Sequence, residues 1–168
     1  MLYKIIGGYM HIEKYNRSSV VEYARKWAYK RNPDYYNFDS IGGDCTNFVS
    51  QCIYAGSGVM NYNKIYGWYY NNANDKSPSW TGVQFLHNFL VNNQGIGPIG
   101  EISNKIEIGD IVQLSFDGVN YTHSLIIVEI KDTKIFIASH TFDSYGREVS
   151  SYEYKKSRFI HIKGVQKN

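Results

Sequence analysis

Two cysteines and five histidines are the side chains of this 168-residue sequence that could serve as a thiol nucleophile or an imidazole base near neutral pH. Cys45 stands in the run Gly42-Gly43-Asp44-Cys45-Thr46-Asn47-Phe48-Val49-Ser50-Gln51-Cys52. The glycine pair turns the chain, and the cysteine then opens an amphipathic helix. A helix N-terminus carries partial positive charge and free N–H groups. Those groups favour thiolate over thiol and can hold an oxyanion. Cys52 lies two helical turns further on, roughly 10 Å away. That exceeds the Cα separation a disulfide spans, so Cys52 reads as a buried apolar residue. The partners available to the thiol are His123, in Thr122-His123-Ser124, and His140, in Ser139-His140-Thr141.

These residues need elements to position them. The spacing of Val20, Val21, Ala24, Trp27 and Ala28 predicts a first helix over 19–31, with Ser19 and Glu22 as a capping box. Residues 32–43 form a loop. The second helix begins at Asp44 or Cys45, buries Cys45, Phe48, Val49, Cys52 and Ile53 on one face, and ends at Gly56 or Gly58. Asp44 can cap it. Residues 59–80 are irregular and aromatic, and segment 62–80 is expected to line one wall of a cleft. A third helix over 81–93 carries Val83, Leu86, Phe89 and Leu90 as its stripe, Thr81 and Gln84 as a capping box, and His87 on its surface. Strands follow at 111–116, 121–130, 134–140 and 157–163, while 147–154 is ambiguous. Helices first and strands second predict an α+β domain with an antiparallel sheet.

The hairpin 121–140 sets the relation of the two histidines. If Ile130 faces Lys134, His123 faces Thr141 and His140 faces Ser124. A one-residue change in the loop sets His123 opposite His140 instead. Either way both histidines come to one end of the hairpin; whether they share a face depends on register.

Composition narrows the function. With 43% apolar and 20% charged residues the chain is globular. A net charge of +3, with no long basic block, does not argue for nucleic acid. No apolar run is long enough to span a membrane. Residues 1–11 lack the h-region and cleavage site of a signal peptide, and compartment is left open between cytoplasm, secretion and cell wall. Residues 1–14 read as an N-terminal extension and 15–168 as a single domain. The 16 tyrosines, 8 phenylalanines and 3 tryptophans suit either a sheet core or stacking on sugars and peptides.

A helix-start cysteine and a strand histidine, with a third polar group to orient the imidazole, form a cysteine-nucleophile pattern. Here the chain resembles the bacterial "putative amidase domain" family, related to the papain-like cysteine peptidases of the NlpC/P60 and CHAP groups. The matching residues are Gly43 to Gln51, Trp80, Gly109-Asp110-Ile111-Val112, Thr122-His123-Ser124 and Ser139-His140-Thr141, and the likeness runs from about residue 15 to 162. It implies a papain-like fold, N-terminal helices packed on a C-terminal sheet. It implies a cysteine-dependent amidase or peptidase with Cys45 as nucleophile, His123 as base and acid, and His140, or else Asp143, as the third residue. It also implies peptide substrates, peptidoglycan fragments among them, and no cofactor. Papain-like enzymes carry an oxyanion-hole glutamine about six residues before the cysteine; here that position is Asp39. Tyr29, Tyr35 and Tyr36 are alternative donors. Three other readings stand beside hydrolysis: a non-catalytic wall-binding module of the same fold, a zinc site of Cys45, His123 and His140, and an acyltransferase using the same thioester chemistry.

Overall fold

The computed structural model describes the backbone of residues 3–5 and 8–168, and side chains from Tyr9 onward. The expected extension therefore lies partly outside the described residues. Its strands β1 (Tyr3–Ile5) and β2 (Gly8–Glu13) nevertheless enter the main sheet. Helices α1 (Arg17–Trp27) and α2 (Cys45–Ser57) come next, then the small hairpin β3 (Tyr70–Asn72) and β4 (Asp75–Lys76). A single-turn α3 (Pro78–Thr81) and α4 (Val83–Asn92) precede β5 (Gly97–Ile102), β6 (Ile111–Ser115), β7 (His123–Lys131), β8 (Lys134–Ser139), β9 (Ser144–Glu148) and β10 (Lys156–Lys167). The architecture is α+β. The strand pairings of the main sheet are antiparallel, in the order β1-β2-β10-β6-β7-β8-β9, with β5 also on β10.

The helices differ from expectation mostly at their ends. Helix α1 is capped not by Ser19 but by Asn16, whose side chain accepts from the Ser19 N–H. An asparagine oxygen reaches the third amide as well as a serine would, and starting earlier buries Val20 and Ala24. Helix α2 begins at Cys45 and ends at Gly58, which takes the left-handed conformation a glycine C-cap favours. The expected third helix is broken at Gly82, so Thr81 and Gln84 form no capping box.

The sheet separates two apolar layers. On one face Ile111, Ile126, Val128, Ala138, Ile160 and Ile162 pack against Phe48, Val49, Cys52 and Ile53 of α2 and the stripe of α4. On the other, Val112, Leu114, Leu125, Ile127 and Ile137 pack against Val149 and Tyr152. Trp68 and Trp80 are fully buried in the first layer, and Tyr69 and Tyr70 nearly so. Parts of the middle and end of the 62–80 segment are thus core, whereas its start, with Tyr62 and Tyr66, is exposed and lines a groove apart from Cys45.

Candidate active site

Four polar residues of the Asp-Cys-Thr-Asn-Phe-Val-Ser-Gln run anchor the start of α2. Asn47 donates to Asp44 Oδ1 (2.9 Å) and the Tyr36 carbonyl (3.0 Å), and accepts from Trp80 Nε1 (2.9 Å). Ser50 accepts from Trp68 Nε1 and Gln51 from the Tyr23 hydroxyl. Thr46 shares a hydrogen bond with the Ser124 hydroxyl (3.0 Å), which also accepts from Gln113. All four sit in the buried helix–sheet layer, where each unpaired polar group would cost about 1–3 kcal/mol. The motif therefore fixes where Cys45 stands.

Gly42 and Gly43 both have positive φ (81° and 97°), which side chains rarely tolerate. A Cβ on Gly43 would come within 3.3 Å of Thr141 Oγ1, so this turn packs directly on the segment after His140. Asp44 makes no side-chain cap. Its carboxylate turns inward and is fully buried. Oδ1 accepts from the Phe38 N–H and Asn47, and Oδ2 meets His140 Nδ1 at 2.5 Å, with Arg31 Nε at 3.7 Å.

Cys45 is 8% exposed, and its sulfur lies 3.7 Å from Thr46 Oγ1. Burial pushes the thiol up, and the Asp44 charge adds to that. The Ser124 backbone N–H, which faces the sulfur, and the Thr46 hydroxyl and amide work the other way without winning. The helix terminus was expected to favour the thiolate; in the closed site, desolvation outweighs it.

The two histidines fall on opposite faces of the sheet. The β7–β8 register pairs Ile130 with Ile135, one residue off expectation, and a bulge at Val128 then shifts it to Ile127↔Ile137 and Ile126↔Ala138. The half of the hairpin nearest the site thus has the register in which His140 sides with Ser124. His140 stacks on Phe48 of α2 at 4.0 Å between ring centres. Its Nε2 donates to the Trp27 carbonyl (2.8 Å), and its Nδ1 is held by Asp44. His123 pairs with Leu114 in the second layer, near the rings of Tyr152 and Phe116. Its Nε2 is buried with no hydrogen-bond partner among the described residues. Burial, with a smaller push from the nearby Arg147 charge, lowers this imidazole to about 4.

Sequence reasoning grouped Cys45, His123 and His140. The structure sets the Cys45 sulfur against the Ser124 amide, one residue along β7 from His123. Among the described residues no hydrogen bond joins Cys45 to His123, and none joins His140 or Asp143 to His123. Asp143 is instead engaged by Arg31 at 2.9 Å, together with Asp39. Of the candidate tyrosines, Tyr35 stacks on Trp80, Tyr29 accepts from the Tyr145 N–H, and Tyr36 packs its ring on Phe38. Among the described hydrogen bonds none joins these tyrosines to Cys45. The partnership of Asp44 with His140 was missed, because a partner 96 residues away leaves no local signal in the sequence.

The family profile described as "Putative amidase domain" matches residues 14–163. The chain belongs to this family. Two Bacillus subtilis proteins, both named as uncharacterised, are similar to it. YhbB is 32% identical over 137 residues, covering 78% of this chain and 43% of YhbB. YjcM is 24% identical over 140 residues, covering 77% of this chain and 32% of YjcM. The chain therefore spans less than half the length of these curated relatives. No solved structure matches it.

Proposed function

We propose that this amidase-family domain is a cysteine-dependent amide hydrolase of papain-like arrangement, akin to the NlpC/P60 and CHAP peptidases, in which Cys45 attacks the carbonyl and His123 moves the proton. One observation carries the reading: His123 Nε2 is buried without a partner beside the peptide that faces the Cys45 sulfur, whereas both nitrogens of His140 are committed. A buried imidazole nitrogen that the protein leaves unpaired is rare, and a catalytic role is one reason to keep it. With the thiol pushed up and the imidazole pushed down, the resting pair is neutral. His123 then acts as general base as the thiol attacks, and returns the proton to the leaving amine; water hydrolyses the thioester. Catalytic contacts of this kind often tighten only when substrate binds. The first amides of α2 and the Ser124 N–H are the donors available to an oxyanion. His140 acts through Asp44 as a positioning residue for the helix start.

Peptide amides are the proposed substrate class, wall stem peptides among them. The test incubates wild type and Cys45→Ala with wall-derived peptide fragments and short peptides, read by mass spectrometry. A cleaved amide and a transient thioester mass on Cys45 are expected. Turnover that survives Cys45→Ala overturns the reading. The buried, up-shifted thiol favours one second reading, a non-catalytic module of the same fold. That reading expects iodoacetamide to label Cys45 as slowly as Cys52, whereas catalysis expects Cys45 to react much faster.

A further inference from the structure

A groove of about 1420 Å³ lies between α4 and the 61–67 loop, apart from Cys45, His123 and His140. Its lining is chemically unusual for this chain. One residue in five here is charged, yet among the described residues lining the groove none has a charged side chain or is a histidine. Lys64 stands inside the loop, but its ammonium turns over the Tyr69 ring at 5.1 Å.

One wall is a single stripe of α4, in which ring and amide alternate: Phe85, Asn88, Phe89, Asn92. Tyr62 and Tyr66 stand on the opposite wall, 56% and 78% exposed, and Phe85 is 58% exposed. Exposed rings on facing walls of one groove are costly to leave in water. Several amides keep free valences. Asn63, Asn88 and Asn92 each spend only part of their side-chain amide on the protein. Gln94 has no side-chain partner among the described residues.

We propose that this groove binds a neutral oligosaccharide. Sugar rings present flat C–H faces to aromatics and a rim of hydroxyl and acetamido groups that both donate and accept, as free asparagine and glutamine amides do. An anionic polymer would call for Lys or Arg, and a cationic one for Asp or Glu. Neither kind of side chain stands among the described lining residues. The site is independent of the thiol chemistry and stands whether or not Cys45 is a nucleophile.

The test titrates the full chain with triacetylchitotriose and with cellotriose, both uncharged, and follows backbone amide shifts. Saturable shifts confined to residues 61–67 and 85–96 are expected with at least one sugar, and their difference reads the contribution of the acetamido groups. Tyr66→Ala and Phe85→Ala, both at exposed rings, should each weaken binding about threefold to tenfold. Cys45→Ala should leave it unchanged. No saturable shift with either sugar up to about 10 mM overturns the proposal. So does an acidic peptide that binds the same residues as tightly.

Discussion

The two faces of the sheet carry one histidine each, and they are treated oppositely. On the helix face His140 is saturated: a carboxylate at one nitrogen, a carbonyl at the other, a phenyl ring beneath. On the far face His123 is equally deep but has an unpartnered nitrogen and a depressed pKa. Burial alone therefore does not separate a structural histidine from a reactive one; the hydrogen-bond ledger of its two nitrogens does.

The sharpest way to break this comparison is to exchange the expected losses. His123→Ala should cut turnover about 10²–10⁴-fold while the protein still unfolds in one cooperative transition, measured by peptide hydrolysis and thermal denaturation. His140→Ala should do the reverse. It leaves the buried Asp44 carboxylate without its main partner, which costs about 3–5 kcal/mol in denaturant titrations. If His140→Ala folds normally and is dead, the roles assigned to the two faces are wrong.

A pH series sharpens the contrast. His123 titrates near 6.5 when unfolded and near 4 when folded, so between those values the unfolded chain binds more protons. Its contribution is present above about pH 6.5 and is lost as pH falls through 4, to a total of about 3 kcal/mol. Urea midpoints of wild type should drop over that window, and His123→Gln should flatten the drop. The smallest effect concerns the turn that joins Cys45 to the His140 segment. Gly43→Ala should cost about 1–2 kcal/mol and Gly42→Ala less, because a Cβ at Gly43 meets Thr141 while one at Gly42 meets nothing within 4 Å.

Much of this was legible from side-chain periodicity. The start of α2 at Cys45, its end at Gly58 and the strands around His123 and Ser139 follow from spacing and glycine chemistry. The faces of the two histidines did not, because one bulge at Val128 decides them and nothing in Ile126-Ile127-Val128-Glu129 marks it. Strand β5 was missed because its Gly97-Pro98-Ile99-Gly100 start looks like a turn; it is a strand only because β10 supplies the pairing. The partner of Asp44 was missed for a similar reason, although its charge does raise the neighbouring thiol as an anion there should. A local cap is visible in sequence, whereas a partner 96 residues away is not.

The hub at Asp44 has a bearing on how function is acquired during folding. Its carboxylate gathers the loop at Phe38, the first turn of α2 at Asn47, and His140 just after β8, while His140 reaches on to the last residue of α1. The surroundings in which the helix start presents Cys45 are therefore not set by local sequence; they are assembled when the second helix, the loop before it and the β7–β8 hairpin have all docked. Reactivity of Cys45 and protection of the sheet amides from hydrogen exchange should appear in the same kinetic phase, which makes the thiol a reporter of the completed fold.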